Sequence, residues 1–392
     1  MRALRLVIVV LLVSLGFLGG YFAGWFLHGE NTVRLSPTQQ TSAREAGRLQ
    51  QKIIEELRGR YYRPVDVDKL SQAGLNGMLE SLNDPYTAYL TPKEVKEFEE
   101  KERGSYSGIG ASLQKTEDGL VITAVFEGSP AKAAGLVPGD IIQSVDGKST
   151  RTTSIETSIS RIKGEEGTSV TLTVRPKGGE QAKELKVVRK TIEIPETDSR
   201  IINDKGTRVG YVQLYEFGGF AGRDVREDVE ELTAKGAQWF ILDLRYNGGG
   251  LLTQAVDVTN VFQAGLVTST AGLHSPKEEL EATGPVATRK PMIVLVNGYS
   301  ASASEIVTGA LKDHGRATVV GTKTFGKGLV QSIVDLGNGA ALKLTTAVYL
   351  TPDGTNINKK GIAPDIVAPD KPKTKPDDAL QAALRYIARQ EK

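Results

Sequence analysis

The sequence predicts a multidomain α/β protein, and three observations carry that expectation. The chain has 392 residues, more than one ordinary domain holds. Residues 191–376 alternate short apolar runs such as WFILDL and PMIVLV with stretches of helical spacing, the pattern of a largely parallel sheet. Residues 104–190 have a different texture, in which short strands separated by glycine turns suggest a compact, partly open β-barrel.

The elements follow in order. Residues 6–27 carry no charge and are preceded by Arg2 and Arg5, so they are long enough to span a bilayer and place the N-terminus in the cytoplasm. The run is long for the apolar part of a cleaved signal peptide, and no clear A-x-A site follows it, which favours an uncleaved anchor within residues 1–36. The rest of the chain is then expected outside the cytoplasm.

Residues 37–103 read as a helical region. After a polar stretch, Leu49, Ile53 and Leu57, then Leu75, Met78, Leu79 and Leu82, have helical spacing, with Pro64 and Asp84-Pro85 as breaks. The barrel-like region contains SGIGASLQ, LVITAVF, GSPAKAAGL, PGDIIQSVDGK, a helical patch at residues 155–162, and SVTLTVRP. The α/β core continues through RVGYVQL, a helix near residues 224–234, WFILDL, LLTQAVDVTNVF, PMIVLV, ASEIVTGALK and ATVVGT. A last helix is expected over residues 377–392.

Composition removes several classes of function. Lysine and arginine (49) nearly balance aspartate and glutamate (47), so bulk charge gives no argument for nucleic-acid binding. The absence of cysteine excludes disulfides, thiolate metal sites and a cysteine nucleophile. The three histidines, His28, His274 and His314, form no metal-ligand spacing, and no metal or cofactor is expected.

Chemistry is expected where the buried strands end, because ligands of such sheets meet the carboxyl ends of strands. After WFILDL comes RYNGGGLL, whose three glycines let backbone amides approach an anion or form a plain turn. After PMIVLV comes NGYSASASEI, three alternate serines on a strand-to-helix turn. Ser302 and Glu305 have the spacing of a capping box, the reading that spacing alone favours; the alternative is a serine nucleophile near the positive end of a helix, which requires a base nearby.

Residues 321–327 begin like a phosphate-binding G-x-x-x-x-G-K loop. Gly328 stands where a hydroxyl would hold magnesium, and LVQSIVDL reads as a strand rather than a helix, so nucleotide binding is poorly supported. Lys327 is alternatively a base. Bringing lysine from about 10.4 to near 7 costs about 4 kcal/mol, which burial supplies. Phe325, Leu329 and Val330 provide an apolar setting, and strand alternation places Gln331 on the same face. Ser129-Pro-Ala-Lys132 has S-x-x-K spacing but lacks the companion elements of penicillin-recognising enzymes. No histidine has a persuasive setting as the base.

Residues 104–190, above all GSPAKAAGLVPGDIIQSVDGK, resemble a PDZ domain. That resemblance implies that Gly108, Ile109 and Gly110 of SGIG donate amides to a peptide's terminal carboxylate while the peptide adds as a strand. The whole order of segments, with DLRYNGGGLL, NGYSASASEI, GTKTFGKGLVQ and YLTPDGTNINKKGIAPDI, resembles the C-terminal processing (tail-specific) serine peptidases. The resemblance implies a serine endopeptidase with Ser302 as nucleophile, Lys327 as base and Gln331 in support. It also implies an oxyanion hole at Ala303 and Gly249, and a PDZ domain that recognises substrate C-termini and gates the site. Relatives commonly have proline at Gly248 and a small residue at Tyr299. The resemblance further implies protein or peptide substrates with free C-termini, a bacterial envelope location, and a homodimer through the N- and C-terminal helical segments. A PDZ scaffold with a vestigial site and a nucleotide hydrolase are the rivals.

Overall fold

The computed structural model describes residues 35–179, 181–369 and 377–391. The expected anchor at residues 6–27 lies outside them. Among the described residues no helix is long and apolar enough to cross a membrane. The chain divides into two compact units after Asn83.

In the first unit, α1 (Pro37–Arg60) and α2 (Val67–Glu80) pack on each other. Helix α1 starts well before the apolar spacing that marks it in the sequence. Ser36 accepts from Gln39 N–H at 3.3 Å while its own amide donates to Gln39 Oε1 at 2.9 Å, a capping box with proline in the first turn. Leu49, Ile53, Leu75 and Met78 are exposed.

The second unit opens with β1 (Ala88–Leu90) and α3 (Pro92–Glu102), so residues 84–103 fold with the larger body. Strands β3 (Ala111–Thr116), β4 (Gly119–Val125), β5 (Ile141–Val145), β7 (Ser169–Arg175) and β8 (Lys183–Val188) form an antiparallel sheet in the order β3-β4-β5-β7-β8, with the short β6 (Lys148–Ser149) beside β5. The sheet is open, β3 and β8 being its edges, and does not close into a barrel. Its core of Leu120, Ile122, Ile142, Val145, Val170, Leu172 and Val174 is covered by Ile162 of α5 (Ile155–Ile162). The chain enters and leaves through the ribbon of β2 (Ser105–Gly108) and β9 (Lys190–Glu193).

Beyond it, β10 (Thr197–Asp204) pairs antiparallel with β11 (Thr207–Leu214), which runs parallel with β12 (Trp239–Asp243), β15 (Met292–Val296), β16 (Ala317–Gly321) and β19 (Ile366–Val367). Strands β12 and β15 are buried at every residue, which explains their unbroken apolar runs. Alternate residues serve opposite faces. Phe240, Leu242, Val294 and Val296 pack on α6 (Ala221–Ala234), α7 (Leu252–Phe262) and α8 (Ala303–Asp313). Trp239, Ile241, Ile293 and Leu295 pack on α9 (Asp378–Gln390) through Ala379, Ala383, Leu384 and Ile387. The C-terminal helix therefore covers the chain's own sheet, and its apolar face is not left for a partner copy.

A second, antiparallel sheet has the order β1-β18-β13-β14, from β18 (Ala341–Leu350), β13 (Gly265–Ala271) and β14 (Glu278–Ala282), with β17 (Leu329–Asp335) also on β18. Residues 329–335 are thus a strand, as LVQSIVDL predicts, and the glycine-lysine turn before it opens no helix.

Candidate active site

Three loops meet at the carboxyl ends of the parallel strands. The first follows β12. Asp243 is fully buried and accepts from the Tyr211 hydroxyl at 2.6 Å and from Arg245 Nη2 at 2.6 Å. Arg245 reaches on to both oxygens of Asp377, each at 2.8 Å. Asn247, equally buried, holds the loop's crest: its Nδ2 donates to Leu214 O at 2.9 Å and its Oδ1 accepts Gly249 N–H at 2.9 Å.

The second loop follows β15 and carries the serines. Ser300 Oγ donates to Leu244 O at 2.8 Å and Ser304 Oγ to Asn247 O at 2.9 Å, so the outer two serines fasten this turn to the first loop. Asn297 Oδ1 accepts both Tyr246 N–H (3.1 Å) and Tyr299 N–H (3.0 Å), and the two exposed tyrosine rings stack with centroids 5.5 Å apart. The middle serine, Ser302, is the N-cap of α8 with φ 56° and ψ −115°, a backbone conformation that a side-chain-bearing residue rarely adopts. Such strain costs about 1–3 kcal/mol and persists where the surroundings enforce it. Gly249 lies directly behind: a Cβ there would sit 2.8 Å from Ser302 Cβ and from Ala301 O.

The third loop joins β16 to β17 and carries Lys327. Its fastening is Glu305, buried in the first turn of α8. One oxygen accepts Ser302 N–H at 3.0 Å and Lys327 N–H at 2.8 Å; the other accepts Gly326 N–H at 2.7 Å and the Thr324 hydroxyl at 2.5 Å. The glutamate half of the capping box therefore forms, and the same carboxylate also binds a loop some twenty residues further on. The Glu305 amide itself donates to Ser302 O at 2.8 Å.

Lys327 is half-buried. Burial lowers its proton affinity below the ordinary lysine range, the nearby Lys343 charge lowers it further, and Asp84 opposes both. Its Nζ donates to Gln331 Oε1 at 3.2 Å; among the described residues it makes no hydrogen bond to the Ser302 hydroxyl. The expected Lys327–Gln331 contact is thus present, although Lys327 lies in the loop before β17 rather than on the same strand face. Ala303 opens α8, so its N–H is one of the orphan donors of the helix start. Gly249 N–H is already bonded to Asn247.

The other candidates lie elsewhere. Gly108 ends β2, opposite Lys190 of β9, and Ile109 and Gly110 form the turn into the edge strand β3; all three are buried, with the Ile109 carbonyl accepting Ala131 N–H at 2.8 Å and the Gly110 carbonyl accepting Phe126 N–H at 3.0 Å. Ser129 caps the short helix α4 (Pro130–Ala133). His314 caps the far end of α8 and bonds Leu266 O at 2.7 Å, while His274 sits in a loop. Among the described residues no acidic or histidine cluster is arranged for a metal. Tyr86, which no sequence signal singles out, touches both Lys327 and Gln331.

Comparison with known proteins agrees with this architecture. Family models match for peptidase family S41 over residues 208–368, a PDZ domain over 121–176, and the N-terminal domain of the activating protease CtpB over 15–94. A carboxy-terminal-processing protease of Bartonella bacilliformis is 38% identical over 322 residues, covering 80% of this chain and 73% of that one. A probable CtpA-like serine protease of Staphylococcus aureus is 38% identical over 321 residues, and the match spans 81% of this chain but 63% of the relative. The solved structure of a photosystem II D1 C-terminal processing protease superposes with a TM-score of 0.50 at 29% identity, covering 84% of this chain and 92% of that one. The chain belongs to peptidase family S41, among the serine-type carboxy-terminal-processing proteases.

Proposed function

We propose that this protein cleaves protein substrates at or near their C-termini with a Ser302–Lys327 dyad. The observation that carries the reading is the Glu305 carboxylate, which binds the Ser302 amide and the Lys327 amide through one oxygen and so joins nucleophile turn and base loop. Ser302 Oγ attacks the peptide carbonyl carbon and passes its proton to neutral Lys327, which keeps an N–H on Gln331 Oε1 and turns its lone pair to the serine. The tetrahedral oxyanion accepts from Ala303 N–H at the helix start and from the Gly249 loop, where exchange of the Asn247 bond frees the amide. Lys327 then protonates the leaving amine, and water releases the acyl chain from Ser302.

In the same proposal the PDZ domain recognises the substrate's C-terminus at Gly108, Ile109 and Gly110, with the peptide alongside the free edge of β3, and thereby gates the site. Residues 6–27 anchor the chain in a bacterial membrane, catalytic region outside the cytoplasm. The exposed apolar residues of α1 and α2 are the dimer contact. The test is degradation of an unstructured protein with a free apolar C-terminus by wild type, Ser302→Ala and Lys327→Ala, with an amidated substrate as a further arm. Loss of cleavage in both variants and weakening by amidation support the reading; cleavage that survives both variants overturns the dyad, and indifference to amidation overturns C-terminal recognition.

A further inference from the structure

The orientation of Lys327 and Gln331 is not settled by those two residues alone. A carboxamide between an amine and a second group can point either way unless the second group chooses. Here it does: Gln331 Nε2 donates to the backbone carbonyl of Tyr86 at 2.7 Å, so Oε1 is the atom left to face Lys327 Nζ. A flipped amide would set N–H against the amine and oxygen against a carbonyl.

The same residue meets the lysine with its side chain. Lys327 Nζ lies 4.8 Å from the centroid of the half-buried Tyr86 ring, within cation–π range. Tyr86 is itself held firmly. Asp84 accepts Tyr86 N–H at 3.0 Å and the Thr87 hydroxyl at 2.6 Å, and Thr87 Oγ1 accepts Thr345 N–H at 3.1 Å. From Ala88 onward the chain pairs with β18 opposite Lys343. Tyr86 precedes residues 208–368, the stretch matched by the peptidase model, so the base is completed by a segment outside that core.

We infer that Tyr86 is a positioning residue for the reaction: its carbonyl fixes the Gln331 amide, and its ring sets how readily Lys327 gives up its proton. The inference rests on Lys327 being the base. The ring acts in two opposed senses. Its bulk excludes water, which favours the neutral amine, whereas its electron-rich face attracts the ammonium. The other charges facing Lys327 are Lys343 on β18, which favours the neutral form, and Asp84, which favours the charged one. Glu305 on α8 touches the Lys327 backbone amide.

Substitution separates the two senses. Tyr86→Leu keeps the apolar bulk and loses the ring face, so the acid limb of the kcat/KM–pH profile moves to lower pH, by about half a unit for a cation–π contact of ordinary strength. Tyr86→Ala loses both and admits water, so the limb moves to higher pH: activity near pH 7 falls about tenfold for each unit moved and returns at higher pH. Tyr86→Phe keeps ring and bulk and leaves the limb in place.

The experiment is the pH profile of the full-length chain and these three variants on an unstructured protein substrate, with thermal unfolding recorded to confirm folding and Lys327→Ala run beside them. Opposite movements in the Leu and Ala variants support the inference. A uniform loss at every pH with an unmoved limb reduces Tyr86 to packing and overturns it. Activity that persists in Lys327→Ala overturns the dyad instead, so the two failures are distinguishable.

Discussion

Replacing Glu305 by glutamine changes one atom and is expected to loosen the whole site. In its best rotamer the new side chain keeps its oxygen between the Ser302 and Lys327 amides and places its nitrogen against Gly326 N–H and Thr324 Oγ1. The Thr324 hydroxyl can turn and accept. Gly326 N–H cannot, and a buried amide facing another donor costs about 1–3 kcal/mol. The two surviving bonds fall from about 1.5–3 kcal/mol for a charged acceptor to about 0.5–1.5 kcal/mol for a neutral one. Relief from burying a charge offsets part of this, leaving a loss of about 2–4 kcal/mol. Urea unfolding in the Ser302→Ala background, followed by the core tryptophan Trp239, measures it, and kcat of the active form is expected to fall in parallel. A stability within about 0.5 kcal/mol of the parent, the scatter of ordinary surface changes, would refute the reasoning.

Two further outcomes follow from buried charge. Asp377→Ala removes both the partner of Arg245 Nη1 and Nη2 and the cap that accepts Leu380 N–H at 3.0 Å, so the melting temperature should drop, while Asp377→Asn retains the cap and drops it less. Glu196 is buried with Oε2 unpartnered among the described residues, and burial, opposed by the Phe220 amide bond and reinforced by the Asp224 and Glu216 charges, pushes its carboxyl up to about 7. The folded form therefore binds this proton more tightly than the unfolded chain: the stabilisation is complete below about 4.5 and is lost as pH rises through about 7. Glu196→Gln should flatten that part of the stability–pH curve, as denaturation at pH 5 and pH 8 would show.

Strand and helix order was legible because the parallel core enforces it: WFILD and MIVLV are buried on both faces, and the turns after them have to hold polar chemistry. The Lys327–Gln331 contact forms, but not by the strand alternation that suggested it: Lys327 lies in the loop before β17, and the pairing with β18 shifts register between Val330 and Gln331. Other parts leave no such trace. The start of α1 is polar on every face, so hydrophobic period misses it, although S-P-T-Q marks its cap. Glu305 looks like a cap because its remaining partners are three donors in a loop about twenty residues away. Tyr86 contributes a carbonyl, which has no side-chain signature, across 245 positions of chain to Gln331. Asn247 occupies the Gly249 amide for the same reason: local sequence shows a glycine-rich turn, not which amides are already satisfied.

The C-terminal helix has a bearing on how the protein is made. One face of the parallel sheet, with Trp239, Ile241, Ile293 and Leu295, is covered by α9, and Trp239 Nε1 donates to Glu391 Oε1 at 2.6 Å across 152 positions. During synthesis that face stays bare until residues 378–391 have emerged, and Arg245 waits for Asp377, 132 positions further on, over the same interval. The loop that follows β12 thus gains its outer ion pair only when a segment made much later docks on the sheet. A nascent protease built in this way keeps that loop half-braced until well after the three loops of its candidate site have been made.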